Sequence, residues 1–171
     1  MKTISFRTDI LPLKDRLYRL ALRIVLDTAE AEDVVQDTLI RVWDKRDEWM
    51  NISSPEAYCL TICRNIALDR TARSENRNTE SLDETHHLAM ESSSAPDEKL
   101  IKQERMAIIR NLVDELPEVQ RSIMELRDIE GKSYKEIATV LALSEEQVKV
   151  YLFRARQKIR KAYTKIEKYG L

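Results

Sequence analysis

Apolar residues recur along most of this chain at steps of three and four, the spacing of one face of an α-helix. From about Ile10 to Leu26, Leu13, Leu17, Leu20, Ala21, Ile24 and Val25 form one inner side. Asp27 to Trp49 reads as a second amphipathic helix, with Val35, Leu39, Val42 and Trp43 facing inward. Ser53 or Ser54 caps a third, and Pro55 sits in its first turn, where a missing N–H costs nothing. That helix runs to about Arg77, with Leu60, Cys63, Ile66 and Ala67 turned inward. Asp97 or Glu98 opens a fourth, through Ile101, Ile108, Ile109, Leu112 and Val113. Leu116-Pro117 breaks it, Pro117 starts another reaching about Asp128, and Gly131 provides a stop. No segment alternates as a strand does, and no internal repeat is visible.

The last part of the chain, Ser133 to Lys168, is the most informative. Tyr134, Ile137, Ala138 and Leu141 mark a short helix, Ala142-Leu143 a tight turn, and Ser144 with Gln147 a capping box. Beyond it Val148, Leu152, Ala155, Ile159, Ala162 and Ile166 make one apolar stripe along a long helix. Its polar side carries Lys149, Arg154, Arg156, Lys158, Arg160, Lys161, Lys165 and Lys168 against Glu167 alone. A short helix, a tight turn and a basic second helix form the helix-turn-helix pattern, whose second helix enters the major groove while Lys and Arg neutralise phosphates. A solvated amphipathic helix is the plainer reading, and the capping box, turn and one-sided charge together favour DNA binding over it.

Between the two helical parts the composition changes. Asn78 to Glu98 is rich in Glu, Asp and Ser, has no Lys or Arg, and offers little apolar surface to offset ordering entropy. The expected fold class is therefore all-α: two small helical bundles, residues 1–77 and 98–171, joined by a flexible acidic linker at 78–97, the C-terminal bundle a helix-turn-helix domain.

Net charge is −1 over 171 residues, so charge asymmetry informs where bulk charge does not. Glu30, Asp33, Asp37 and Asp44 line the outer side of the second helix, either a solvated face or a docking surface for a basic partner. Arg70, Arg73 and Arg77 form a basic stripe on the third, flanked by Asn65 and Asp69. Cys59 and Cys63, four apart on an apolar stretch, read as buried small hydrophobes; His86 and His87 lie in the polar segment, and neither a metal nor any other cofactor is expected. No apolar run suits a membrane span, the N-terminus lacks the apolar core of a signal peptide, and a cytoplasmic location is expected. No acid/base pair, phosphate loop or nucleophile triad stands out, so an enzyme is not expected.

These residues resemble a known family, the bacterial sigma factors of the extracytoplasmic-function class. AEDVVQDTLIRVW (Ala31 to Trp43) is similar to its polymerase-binding segment and PEAYCLTICRNIALDRTAR (Pro55 to Arg73) to the segment that reads the upstream part of the melted promoter. LPEVQRSIMELRDIEGKSYKEIATVLALSEEQVKVYLFRARQKIRK (Leu116 to Lys161) is similar to its fourth region. Three segments in the right order carry far more weight than a lone helix-turn-helix.

The resemblance implies a transcription initiation factor whose partners are core RNA polymerase and promoter DNA. Asp33, Gln36, Asp37 and Arg41 match the segment that binds the polymerase clamp helices. Arg64, Asn65, Asp69, Arg70 and Arg73 match the helix that contacts the minus-ten element, where a base is extruded at an unstacking cost. The loop from Trp43 to Pro55, with Trp49 and Asn51, is placed to help. Gln147, Lys149, Val150, Tyr151 and Arg154 form the groove-facing set for the minus-thirty-five element, with Arg156 and Lys158 on phosphates. Tyr151 is equally readable as packing at the edge of the apolar stripe. Ala142 stands where the family often has Gly; if the position needs positive φ, Ala costs about 1 kcal/mol. Val150-Tyr151 replaces the family's common Ser-Arg pair, so no promoter sequence carries over. The linker would permit an anti-sigma protein to wedge between the domains. The competing reading is a dimeric helix-turn-helix regulator with an N-terminal sensing or dimerisation domain; Arg64 to Arg77 would be superfluous there.

Overall fold

Leu17, Leu20, Ala21 and Ile24, the stripe expected of the first helix, are buried on α1 (Lys14–Val25) in the computed structural model, which describes residues 3–77 and 97–169. Phe6–Ile10 and Leu11–Leu13 precede α1 as a π turn and a 3₁₀ turn, the second holding Pro12 where its absent N–H is harmless. Leu26 ends α1 in the left-handed region at φ 58°, its N–H bonded to Leu22 O, at a steric cost of about 1 kcal/mol. Asp27 then caps α2 (Thr28–Asp44), its carboxylate accepting from the Glu30 N–H at 2.9 Å.

The second helix is shorter than the periodicity suggests. It stops at Asp44, and Arg46–Asn51 form a separate 3₁₀ turn that folds Trp49 back, so that its indole Nε1 donates to Val42 O at 3.1 Å. Trp43 was expected inside but is 46% exposed; it meets Phe6 edge-on at 5.4 Å and Trp49 at 6.2 Å. Ring contacts among Phe6, Trp43 and Trp49 offset the loss of the last helical turn. The Ser54 hydroxyl caps α3 (Pro55–Arg77) by accepting from the Ala57 N–H, with Pro55 in the first turn as expected. Cys59, Leu60, Cys63, Ile66 and Ala67 are buried, and α1, α2 and α3 pack on one another as one bundle.

In the C-terminal half, α4 (Asp97–Asp114) lies against α7 (Glu145–Tyr169), with α5 (Glu118–Met124) and α6 (Tyr134–Leu141) packed on α7 as well. Ile108, Ile109, Leu112 and Val113 are half-buried, whereas Ile101, expected on the same stripe, is 48% exposed. Glu125–Ile129 continue α5 as a π turn, and Gly131 at φ 69° ends it. Ile123, Leu126, Ile137, Val148 and Leu152 fill this half's core, each contributing about 1.5–3 kcal/mol by burial. Among the described residues all regular structure is helical.

The two halves pack on each other. Helix α5 packs on α1 and α6 on α3, and one buried cluster runs across the junction. Arg121 pins it: its guanidinium donates to Arg23 O at 2.6 Å and Ile24 O at 3.2 Å, the unsatisfied carbonyls at the end of α1, and to Leu116 O at 2.6 Å. Around it lie the ion pairs Arg23–Asp114 (2.6 Å), Arg64–Glu118 (3.0 Å) and Lys132–Glu56 (2.5 Å). The expected linker, residues 78–97, lies outside the described residues except for Asp97, which opens α4.

Candidate nucleic-acid and partner interfaces

Helix α2 turns Val34, Val35, Thr38 and Val42 into the core, and helical spacing therefore puts Asp33, Gln36, Asp37 and Arg41 outside, where all four are exposed. Thr38 is tolerated inside because its hydroxyl donates to Val34 O at 2.7 Å. The outer face of α2 thus presents its charged side chains to solvent.

Alongside it, α3 presents a mixed surface. Asn65, Asp69 and Arg73 are exposed. Arg70 leans across to α2, donating to Asp37 Oδ2 at 2.9 Å and Asp33 Oδ2 at 3.5 Å. The hydrogen bond to Asp37 raises its pKa above the usual guanidinium value, so it stays charged. An open groove of about 480 Å³ runs between the two helices, lined by Asp37, Arg41, Asp69, Arg70 and Arg73 among others. Arg64 is elsewhere: it faces the other half of the molecule and forms a two-point ion pair with Glu118. Five residues of one sequence stretch therefore divide between an open face and an internal junction. The side chain of Arg77 lies outside the described residues.

The helix-turn-helix is built as its sequence suggests. The Ser133 hydroxyl caps α6 by accepting from the Glu136 N–H at 3.1 Å. Ala142 ends it at φ 55°, in the left-handed region that the turn demands, with the Leu143 N–H bonded to Ala138 O. Both arms of the capping box form: Gln147 N donates to Ser144 Oγ at 3.1 Å and Ser144 N to Gln147 Oε1 at 3.0 Å. Val148, Leu152 and Ala155 anchor α7 in the core, leaving Lys149, Val150, Arg154 and Lys158 exposed.

Two members of the expected set are otherwise engaged. Tyr151 is half-buried and packs against the core, the edge position that was its other reading. Arg156 pairs with Asp128 at the end of the π turn, and that hydrogen bond raises its pKa. Lys149 Nζ lies 5.3 Å from the centre of the Tyr134 ring. The periodicity reading missed Phe153, which is 66% exposed one turn beyond Val150 at 46%. An aromatic lying off the stripe of Val148, Leu152 and Ala155 was the available signal. It also missed Met50, 87% exposed at the tip of the turn after α2.

Comparison with known proteins gives these surfaces a family. Residues 10–77 match Sigma-70 region 2 and residues 106–159 match Sigma-70, region 4. The ECF RNA polymerase sigma factor SigL of Mycobacterium tuberculosis is 32% identical over 145 residues, which span 84% of this chain and 80% of that protein. The RNA polymerase sigma-H factor of Pseudomonas aeruginosa is 29% identical over 166 residues, 92% of this chain and 86% of that one. Among solved structures, the sigma factor RpoE bound to the anti-sigma factor NepR, from Bartonella quintana, superposes with a TM-score of 0.75 at 22% identity over 94% of this chain and 97% of that one. CnrH in complex with the cytosolic domain of CnrY gives 0.62 at 22% identity over 92% and 86%. At that identity the likeness is one of fold; the sequence relatives and the two matched regions carry the rest. The chain belongs to the extracytoplasmic-function sigma factors of RNA polymerase.

Proposed function

We propose that this sigma factor binds core RNA polymerase through the exposed face of α2 and directs it to promoters with α3 and α7, acting in the cytoplasm and without catalysing a reaction. Asp33, Gln36, Asp37 and Arg41 supply the polymerase contact, the carboxylates pairing with a basic partner surface. Asn65, Asp69, Arg70 and Arg73, joined by Arg64 once the halves separate, take the minus-ten element. Gln147, Lys149, Val150 and Arg154 enter the minus-thirty-five duplex, with Lys158 and, after release from Asp128, Arg156 on phosphates. Residues 1–77 and 98–171 act as the two reading domains and 78–97 as the tether. An anti-sigma partner, of the kind the structural neighbours carry, would hold the factor idle.

The observation that carries this reading is the pair of matched regions in one chain, each centred on a helix with an exposed charged face. Two separate nucleic-acid surfaces suit a promoter-spanning factor and have no use in a dimeric regulator with a sensing domain, so that alternative is not favoured. Run-off transcription with purified core enzyme on genomic DNA tests it. Specific transcripts that require the chain are expected; duplex binding as an isolated dimer without any transcript would sink it.

A further inference from the structure

Among the described residues, Arg70 is the α3 cation that reaches across the groove to α2, and the acids it reaches are the two assigned above to polymerase. Asp33 and Asp37 sit one helical turn apart, and the guanidinium lies between them at 3.5 and 2.9 Å. Each carboxylate remains half exposed, 59% for Asp33 and 49% for Asp37, so its outward oxygen is open to a partner, while Arg70 is only 29% exposed. Two carboxylates around one guanidinium leave a local charge of about −1; in the same groove Asp69 and Glu30 are balanced by Arg41 and Arg73, so the sign around Arg70 stays negative. A phosphate approaching Arg70 in the free protein thus meets net negative charge and must displace both acids.

We propose that Asp33 and Asp37 hold Arg70 away from nucleic acid in the free protein, and that RNA polymerase, by taking those carboxylates, hands Arg70 to the promoter. This rests on the assignment of α2 to polymerase and Arg70 to DNA. A basic polymerase surface pairing with the two acids replaces Arg70 as their counter-ion and leaves the guanidinium free to rotate into the groove. An exposed ion pair is weak enough for such an exchange to proceed readily. Linkage makes the effect mutual: whatever factor polymerase adds to DNA affinity through Arg70, DNA adds to polymerase affinity. The device restrains the free factor from occupying nucleic acid and biases DNA binding toward the assembled enzyme.

The test is a mutant cycle on the full chain, read by fluorescence anisotropy with a labelled single-stranded oligonucleotide of mixed sequence. Removing both acids (Asp33→Asn with Asp37→Asn) should tighten binding of the free protein roughly two- to fivefold, the range an exposed pair allows. It should also steepen the salt dependence by about one phosphate contact. The gain should vanish when Arg70→Ala is added, and a charge-matched control, Glu32→Gln with Asp44→Asn, should fall well short of it. No gain, a gain that survives Arg70→Ala, or an equal gain in the control overturns the proposal. The underlying assignment is read separately: Arg70→Ala should weaken DNA binding by the chain assembled with core polymerase. If it does not, Arg70 is not a DNA contact and the proposal falls with that assignment; if it does while the free-protein gain is missing, only the proposal falls.

Discussion

Arg64 on α3 and Glu118 on α5, 54 positions apart, meet in a two-point ion pair at 3.0 and 3.2 Å. The Ser122 hydroxyl donates to the same Glu118 carboxylate at 2.8 Å, fixing it for the guanidinium. Both side chains are largely shielded, 12% and 21% exposed, so this pair is less screened than a surface one. A residue assigned to promoter contact is therefore occupied by the other half of the molecule. If Arg64 contacts the promoter as proposed, this ion pair has to open first.

Weakening the junction should favour the open form. Glu118→Gln, and more strongly Arg121→Ala, which abandons three backbone carbonyls, should each lower stability by about 1–3 kcal/mol. Small-angle X-ray scattering should report a larger radius of gyration with helical circular dichroism retained. An unchanged radius in Arg121→Ala would mean that the apolar packing and the remaining ion pairs hold the halves together without it.

The polymerase assignment makes a sharper demand. Reversing Asp33 and Asp37 to Lys should abolish co-purification with core RNA polymerase without loss of helicity, since both lie on the exposed face of α2. Arg154→Ala should weaken upstream duplex binding by about 1–3 kcal/mol if it makes a base contact, and leave polymerase association unchanged.

Ala142 adopts φ 55° with an L side chain, so Ala142→Gly should raise stability by about 1 kcal/mol, less whatever the freer unfolded chain takes back. Thermal unfolding measures it. A lower midpoint would show that glycine's greater freedom in the unfolded chain outweighs the strain relieved.

Glu125 is only 7% exposed, and burial first, with Glu130 adding, raises its pKa above the ordinary 4.5, although Arg23, Arg19 and Arg110 oppose the shift. A raised carboxylate pKa means the fold favours the protonated form. That contribution is complete below the unfolded value and is lost as pH rises through the folded one. Glu125→Gln should therefore be more stable than wild type near neutral pH, with the gap closing below about pH 4.5. A gap independent of pH in denaturant melts would contradict the assignment.

Burial pushes the Cys59 and Cys63 thiols up to about 12, and the Cys63 thiol donates to Leu17 O at 3.4 Å. Neither should react with a thiol reagent at neutral pH until the protein unfolds; rapid labelling of the native chain would expose local opening of α3.

Local signals in the sequence were mostly read correctly where the physics is local. Ser133, Ser144 and Gln147 form the caps their spacing implies, because a cap needs only neighbours within a turn. The left-handed Ala142 was anticipated as a conditional cost for the same reason. Trp43, expected inside, is half exposed because its position depends on Phe6, far away in sequence, which no helical period encodes. Ile101 lay on a good stripe, yet α4 packs chiefly against α7, and one side of the stripe stays wet.

The sequence by itself determined the helices, their apolar faces and the charge each carries outward, since periodicity and capping are properties of consecutive residues. Only the tertiary structure decided which charges are engaged. Arg70 meets Asp37, Arg64 meets Glu118 and Arg156 meets Asp128 across gaps of 28 to 54 positions, and none of these pairings follows from local spacing. An ion pair acts over a few ångströms of space, and the fold alone sets which distant side chains come that close.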